Sequence, residues 1–194
     1  MHPDVWLEGY EPTFTEALMT GTDRHWLAIL SLKSLEKQKD PHPTTACAII
    51  DGTTYWSSVL PLRTCGNETP WVGSTHSDKM AAVLSELEPV GPERPGRRLV
   101  WGGDWNQALV GKDYAGSTEG RKHLLNSIDR LALHVPTAGL RSQLLDHASI
   151  DHTALPQSDF VSRVERIPAK TQTATLSDHD AYIVDVDAMA PLGR

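Results

Sequence analysis

The chain has 194 residues, 39% of them hydrophobic and 22% charged, with a formal net charge of −7. That length suits one domain with a proper core, read as spanning residues 1–194. No apolar run approaches a membrane span, the first ten residues lack a basic segment followed by an apolar one, and the acidic balance disfavours tight non-specific binding to nucleic acid. Cys47 and Cys65 make no disulfide framework and read as two thiols in a reducing, cytoplasmic setting. The nearest thing to a basic patch is Arg94, Arg97 and Arg98, in a Gly/Pro-rich stretch that reads as a solvated loop before a strand.

In chain order, residues 3–10 read as a short apolar strand with Glu8 at its exit. Residues 25–35 suit a helix or a strand, and 33–43 are polar and end in Pro41-His42-Pro43, a loop. Two β-branched-rich runs, 44–50 and 53–60, are joined by Asp51-Gly52, which accepts the positive φ of a tight turn and predicts a hairpin. Over 76–87, Met80, Val83, Leu84 and Leu87 recur at helical spacing, with Ser74 or Ser77 able to cap the start. Residues 99–101 form the apolar end of a buried strand. A second helix is expected over 119–133, with Leu124, Leu125, Ile128 and Leu131 inward and Ser117 or Thr118 as cap. Strands follow at 149–155, 159–167 and 181–186. Strands dominate, with a helix between strands twice, so the pattern is mixed α/β.

The chemistry-bearing residues sit at strand ends. The strand at Leu99 runs into Gly102-Gly103-Asp104-Trp105-Asn106, where two glycines permit a sharp turn. Asp104 and Asn106 are two apart and point the same way where the chain is extended. Ile150-Asp151-His152 places an acid and an imidazole in a later strand, and Ser177-Asp178-His179-Asp180 precedes the last one. A zinc site from His147, His152 and His179 fits no standard spacing.

Taken in order, Gly103-Asp104-Trp105-Asn106, Ile150-Asp151-His152 and Ser177-Asp178-His179 resemble the motifs of the endonuclease/exonuclease/phosphatase superfamily, whose fold is deoxyribonuclease-I-like. The resemblance implies an α/β fold, a four-layer α/β/β/α sandwich. It implies a divalent-metal-dependent phosphoester hydrolase, either a nuclease or a small-molecule phosphodiesterase or phosphatase, using Mg²⁺ or Mn²⁺. By resemblance, Glu8 and Asp178 are metal ligands, with Glu11 the alternative to Glu8. Asp104 orients or deprotonates the attacking water, and Asn106 donates to the phosphate. His179 steadies the developing charge, Asp151 orients His179, and His152 is a neighbour. The partner implied is a phosphoester substrate, with nucleic acid one option, and neither a membrane nor a protein partner is indicated. The other class is a non-catalytic or truncated relative acting as a binding module. The chain departs from the pattern in three places, the first being a Glu-bearing strand shorter than usual, which is why Glu11 stands as the alternative to Glu8. The turn Val59-Leu60-Pro61-Leu62-Arg63 lacks the usual histidine, and the family's Asn-bearing first strand has no counterpart before Pro3. The expected consequence of the latter is an unpaired edge along residues 5–8 or 182–186.

Overall fold

Asp51-Gly52 turns the chain as the sequence predicts: both residues have positive φ, +49° and +74°, and the flanking strands zip in register from Thr45↔Ser58 to Ile50↔Thr53. In the computed structural model, which describes residues 7–66, 70–90, 98–111, 115–139, 150–170 and 172–187, this hairpin is the centre of the fold. Its strands are β4 (Thr45–Ile50) and β5 (Thr53–Val59), preceded by β1 (Glu11–Phe14), β2 (Ala28–Ser31) and β3 (Glu36–Lys37). Helix α1 (His76–Leu87) leads to β6 (Leu99–Asp104), and α2 (Thr118–Arg130) to β7 (Leu133–His134). The chain continues with β8 (Asp151–Pro156), β9 (Phe160–Ile167) and β10 (Ala181–Asp187).

Six strands form one sheet in the order β3-β4-β5-β6-β8-β7. Among the described residues the parallel pair in it is β5–β6, and α1 lies within that crossover, as a parallel connection requires. The register stacks Cys47, Trp56, Trp101 and Ala154 in one row across four strands. These side chains share a buried core with Met80, Val83, Leu84 and Leu87 of α1 and Leu124 and Ile128 of α2. Trp56 and Trp101 meet edge to face, with ring centres 6.0 Å apart. The Trp101 indole N–H donates to Ser58 Oγ at 2.9 Å, so the one polar atom of that fully buried ring is satisfied. Helix α1 starts with a full capping box, Thr75 with Asp78, rather than the serines expected. Helix α2 is capped by Ser117 and ends early because Ala132 adopts φ +52°. Leu125, expected inward, is 43% exposed on the solvent side of α2.

The opposite face of the sheet looks toward two antiparallel pairs, β1-β2 and β9-β10. The alternation along β10 turns Tyr182, Val184 and Val186 inward and Ile183 and Asp185 outward. A six-stranded sheet faced by two separate strand pairs is thus present, and the described residues supply helices to the outer face of the six-stranded sheet. Among the described residues, the strand that β10 pairs with is β9. Residues 7–10 do not continue a strand: Gly9 has φ +82° and the segment is a turn closed by Tyr10 N–H to the Leu7 carbonyl at 3.1 Å. The remainder of the strand predicted over 3–10 lies outside the described residues, as do Arg94 and Arg97, whereas Arg98 pairs with Asp159 at 2.6 Å. No helix among the described residues is long and apolar enough to cross a membrane.

Gly103 sits opposite Ser58 with φ +133°, and a Cβ there would overlap the Ser58 backbone. Gly103→Ala is therefore expected to lower unfolding free energy by about 3 kcal/mol or more, from strain and overpacking together. Chemical denaturation monitored by tryptophan fluorescence checks it.

Candidate active site

The β6–β8 ladder determines the site. Its register pairs Gly103 with His152 and, at the strand ends, Asp104 with Asp151. Residues directly opposite in an antiparallel pair lie on the same face, so two carboxylates stand side by side. The ladder is held beyond them by Trp105 N–H to the Ile150 carbonyl, 3.0 Å, while Leu60 N–H, just past β5, holds the Asp104 carbonyl from the other side at 2.9 Å. Burial and the neighbouring Asp151 charge push the Asp104 carboxyl up to about 6.

His179 arrives from the turn before β10. Its Nδ1–H donates to both Asp151 oxygens, at 3.2 and 3.1 Å. That hydrogen bond, against a smaller opposing effect of burial, lifts the imidazole to about 9, helped by the charges of Asp151, Asp104 and Asp178. At neutral pH the ring is an imidazolium facing two acids. Asp104, Asp151 and His179 offer ligand atoms that lie within 4.8 Å of one another. They line a cleft of about 510 Å³ together with Leu27, Val59 and Tyr182.

Asn106 is buried beside them but is turned toward the protein. Its φ is +50°, its backbone N–H donates to Asp104 Oδ1 at 3.1 Å, and its Nδ2 donates to the Leu60 carbonyl at 3.0 Å and to Asp104 Oδ2 at 3.1 Å. Where the resemblance implied a phosphate donor, the amide here positions the Asp104 carboxylate. Asp178 is adjacent to the cluster rather than in it: its side chain is 93% exposed, with Oδ2 3.8 Å from His179 Nε2. Glu8, expected at a strand exit, is exposed in the turn beside Gly9, and Glu11 accepts the Leu35 N–H at 2.9 Å on the β1-β2 pair. Neither lines the cleft or joins the acidic cluster. The physical reason is Gly9, whose left-handed backbone ends any extended run. His152 points to the helix side of the sheet, is 2% exposed, and sits 3.0 Å from the Gln107 carbonyl. Burial pushes it down to about 4, so it is a neutral core group and not a partner to His179 in a zinc site. His147 lies outside the described residues.

The donor set suits a hard divalent cation: carboxylate oxygens dominate, and two of them are forced together where a positive charge offsets their repulsion. The sequence did not point to Leu27, Tyr182 or the role of Asp180. Only the i, i+2 spacing of Asp180 and Tyr182 at the entry to a strand could have placed the tyrosine on the cleft face.

No family model and no curated protein matches the sequence. Solved structures do. The fold is similar to that of an AP endonuclease from Archaeoglobus fulgidus, with 15% identity and a TM-score of 0.66, covering 93% of this chain and 80% of that one. It is similar to the 3′ phosphatase NExo from Neisseria bound to a product DNA hairpin, with 15% identity, TM-score 0.61 and coverage of 93% and 80%. A protein of the endonuclease/exonuclease/phosphatase family from Leptotrichia buccalis is 10% identical, with TM-score 0.53 and coverage of 92% and 71%.

Both shifts have consequences for stability. Asp104 titrates higher in the fold than its usual 3.8, so its contribution is greatest below that value and is lost as pH rises through about 6. His179 titrates above its usual 6.5, so its contribution is fully present below 6.5 and is lost as pH rises through about 9. Between those two values the chelator-treated protein is expected to lose melting temperature, and His179→Gln to lose much less. Thermal melts across the range check this.

Proposed function

We propose that this chain, which has the fold of the endonuclease/exonuclease/phosphatase superfamily, is a divalent-metal-dependent phosphoester hydrolase acting on nucleic-acid or small-molecule phosphodiesters. One observation carries the reading: Asp104, Asp151 and His179, distant in sequence, bring ligand atoms within 4.8 Å of one another in a cleft. Phosphoester hydrolysis needs a placed water, a base beside it, and positive charge at the phosphoryl oxygens.

Asp104 supplies the base. A carboxyl near 6 is largely ionised at neutral pH yet holds a proton better than an ordinary aspartate, which suits it to accept one from water. Asn106 holds that carboxylate through two donors and so fixes its direction toward the cleft. His179, kept protonated by Asp151, presents positive charge to a phosphoryl oxygen as negative charge grows there. Asp151 orients the ring and remains its counter-ion. Mg²⁺ or Mn²⁺ would be held through the exposed Asp178 carboxylate beside the cluster, leaving Asp104 and Asp151 to act as base and counter-ion. When bound, such an ion neutralises phosphoryl charge and completes its shell with water and substrate oxygens.

His179→Ala and Asp104→Asn are each expected to lower kcat by about 10²–10⁴-fold. At neutral pH His179→Ala should also lower the melting temperature, since it removes the pairing with Asp151, whereas Asp104→Asn removes a disfavoured charge and should leave the melting temperature unchanged or raised. Asp151→Asn should cost less than His179→Ala. Activity should vanish in excess chelator and return with Mg²⁺ or Mn²⁺. A phosphodiesterase assay on DNA oligonucleotides and on bis(4-nitrophenyl) phosphate, with and without chelator, checks the set; full activity in chelator would remove the metal from the mechanism.

A further inference from the structure

Asp180 follows the imidazole directly, and its side chain is only 8% exposed. Its carboxylate accepts two hydrogen bonds from different parts of the chain: Arg166 Nε–H at 2.5 Å and the Ala169 backbone N–H at 2.8 Å. Arg166 is on β9, paired in register with Tyr182 of β10, so it shares the face that Tyr182 presents to the cleft. Ala169 lies just past β9 and its carbonyl accepts the Leu176 N–H at 2.8 Å. One carboxylate therefore joins the end of β9, the connection beyond it and the start of β10. On the other side of His179, its backbone N–H donates to Ser177 Oγ at 3.1 Å. The imidazole must nonetheless reach Asp151 on β8, and the β9-β10 pair shares no ladder with the six-stranded sheet. Among the described residues no backbone ladder joins the two, so the anchoring of the turn bears on that distance.

We propose that the Asp180–Arg166 ion pair positions the His179 turn so that the imidazole meets Asp151, which makes Asp180 and Arg166 positioning residues for the reaction. The catalytic half of this rests on the hydrolase reading; the structural half rests on geometry alone. The signal was hidden in the sequence because it joins an acid at the mouth of one strand to an arginine on its hairpin partner, and that pairing needs the register.

The experiment uses the full chain with two readouts. One is the downfield proton resonance of the His179–Asp151 hydrogen bond, assigned by its loss in His179→Gln. The other is kcat and KM for bis(4-nitrophenyl) phosphate with Mg²⁺. Arg166→Ala is expected to abolish the resonance and lower kcat about 10–100-fold with KM within about twofold, the signature of a misplaced group. Arg166→Lys should recover most of both, and Asp180→Asn should fall between. A folded Arg166→Ala protein with the resonance and kcat intact overturns the proposal. Should Arg166→Ala not fold, Arg166→Gln replaces it with the same two outcomes. A wild-type chain that cleaves no phosphoester overturns the hydrolase reading only. The resonance then decides the structural half: its persistence in Arg166→Gln overturns it, and its loss upholds it.

Discussion

Two carboxylates held opposite each other at the ends of adjacent strands are the constraint on which the rest of this structure turns. At a side-by-side spacing of about 5 Å, two full charges repel by on the order of 3 kcal/mol at the effective dielectric of a protein surface. The strands cannot slip to relieve it. A shift of one residue would carry Trp101 and Ala154 out of the core row they share with Trp56 and Cys47 and turn them to the other face. The core therefore enforces the electrostatic conflict, and the fold answers it in two ways. Asp104 holds a proton to higher pH than usual, and His179 carries a positive charge against Asp151.

The tryptophan series is what makes the conflict stable. Trp56, Trp101 and Trp105 run in contact beneath the sheet, and Trp105 packs on the His152 ring at 5.3 Å. Trp105 is fully buried one residue past Asp104, so the turn that carries the acid is pinned from below. Half of the site is thus part of a rigid six-stranded platform. The other half, His179, is carried by a two-stranded hairpin that packs onto the platform through side chains. Such a division puts the burden of precision on the few polar contacts around residues 177–180.

Much of this was legible in the sequence, for local reasons. Asp51-Gly52 has one favourable backbone solution, and the apolar spacing of α1 has one favourable face, so both elements were fixed by nearest neighbours. The acids at 104 and 151 and the imidazole at 179 were legible as motif residues at strand ends. What failed depended on backbone handedness or on register. Glu8 was read as a strand exit because Val5, Trp6 and Leu7 are apolar, while Gly9 turns the chain. Leu125 fits the helical stripe on spacing, yet the stripe of α2 is narrower than that. The direction of the Asn106 amide and the pairing of Asp180 with Arg166 are set by a φ value and by a hairpin register, neither of which a spacing rule contains.

The left-handed backbone at residue 106 has a further meaning. Few residues with a Cβ tolerate that conformation, and asparagine is one of the small set that does. The same position must also supply an amide that reaches both a carbonyl on β5's extension and the acid two residues back. Backbone handedness and side-chain chemistry thus select the same amino acid for unrelated reasons. Glycine would satisfy the first demand alone and leave the acid unsupported; glutamine would keep an amide and lose the turn. An asparagine in this place reports the shape of the chain as much as it reports a reaction.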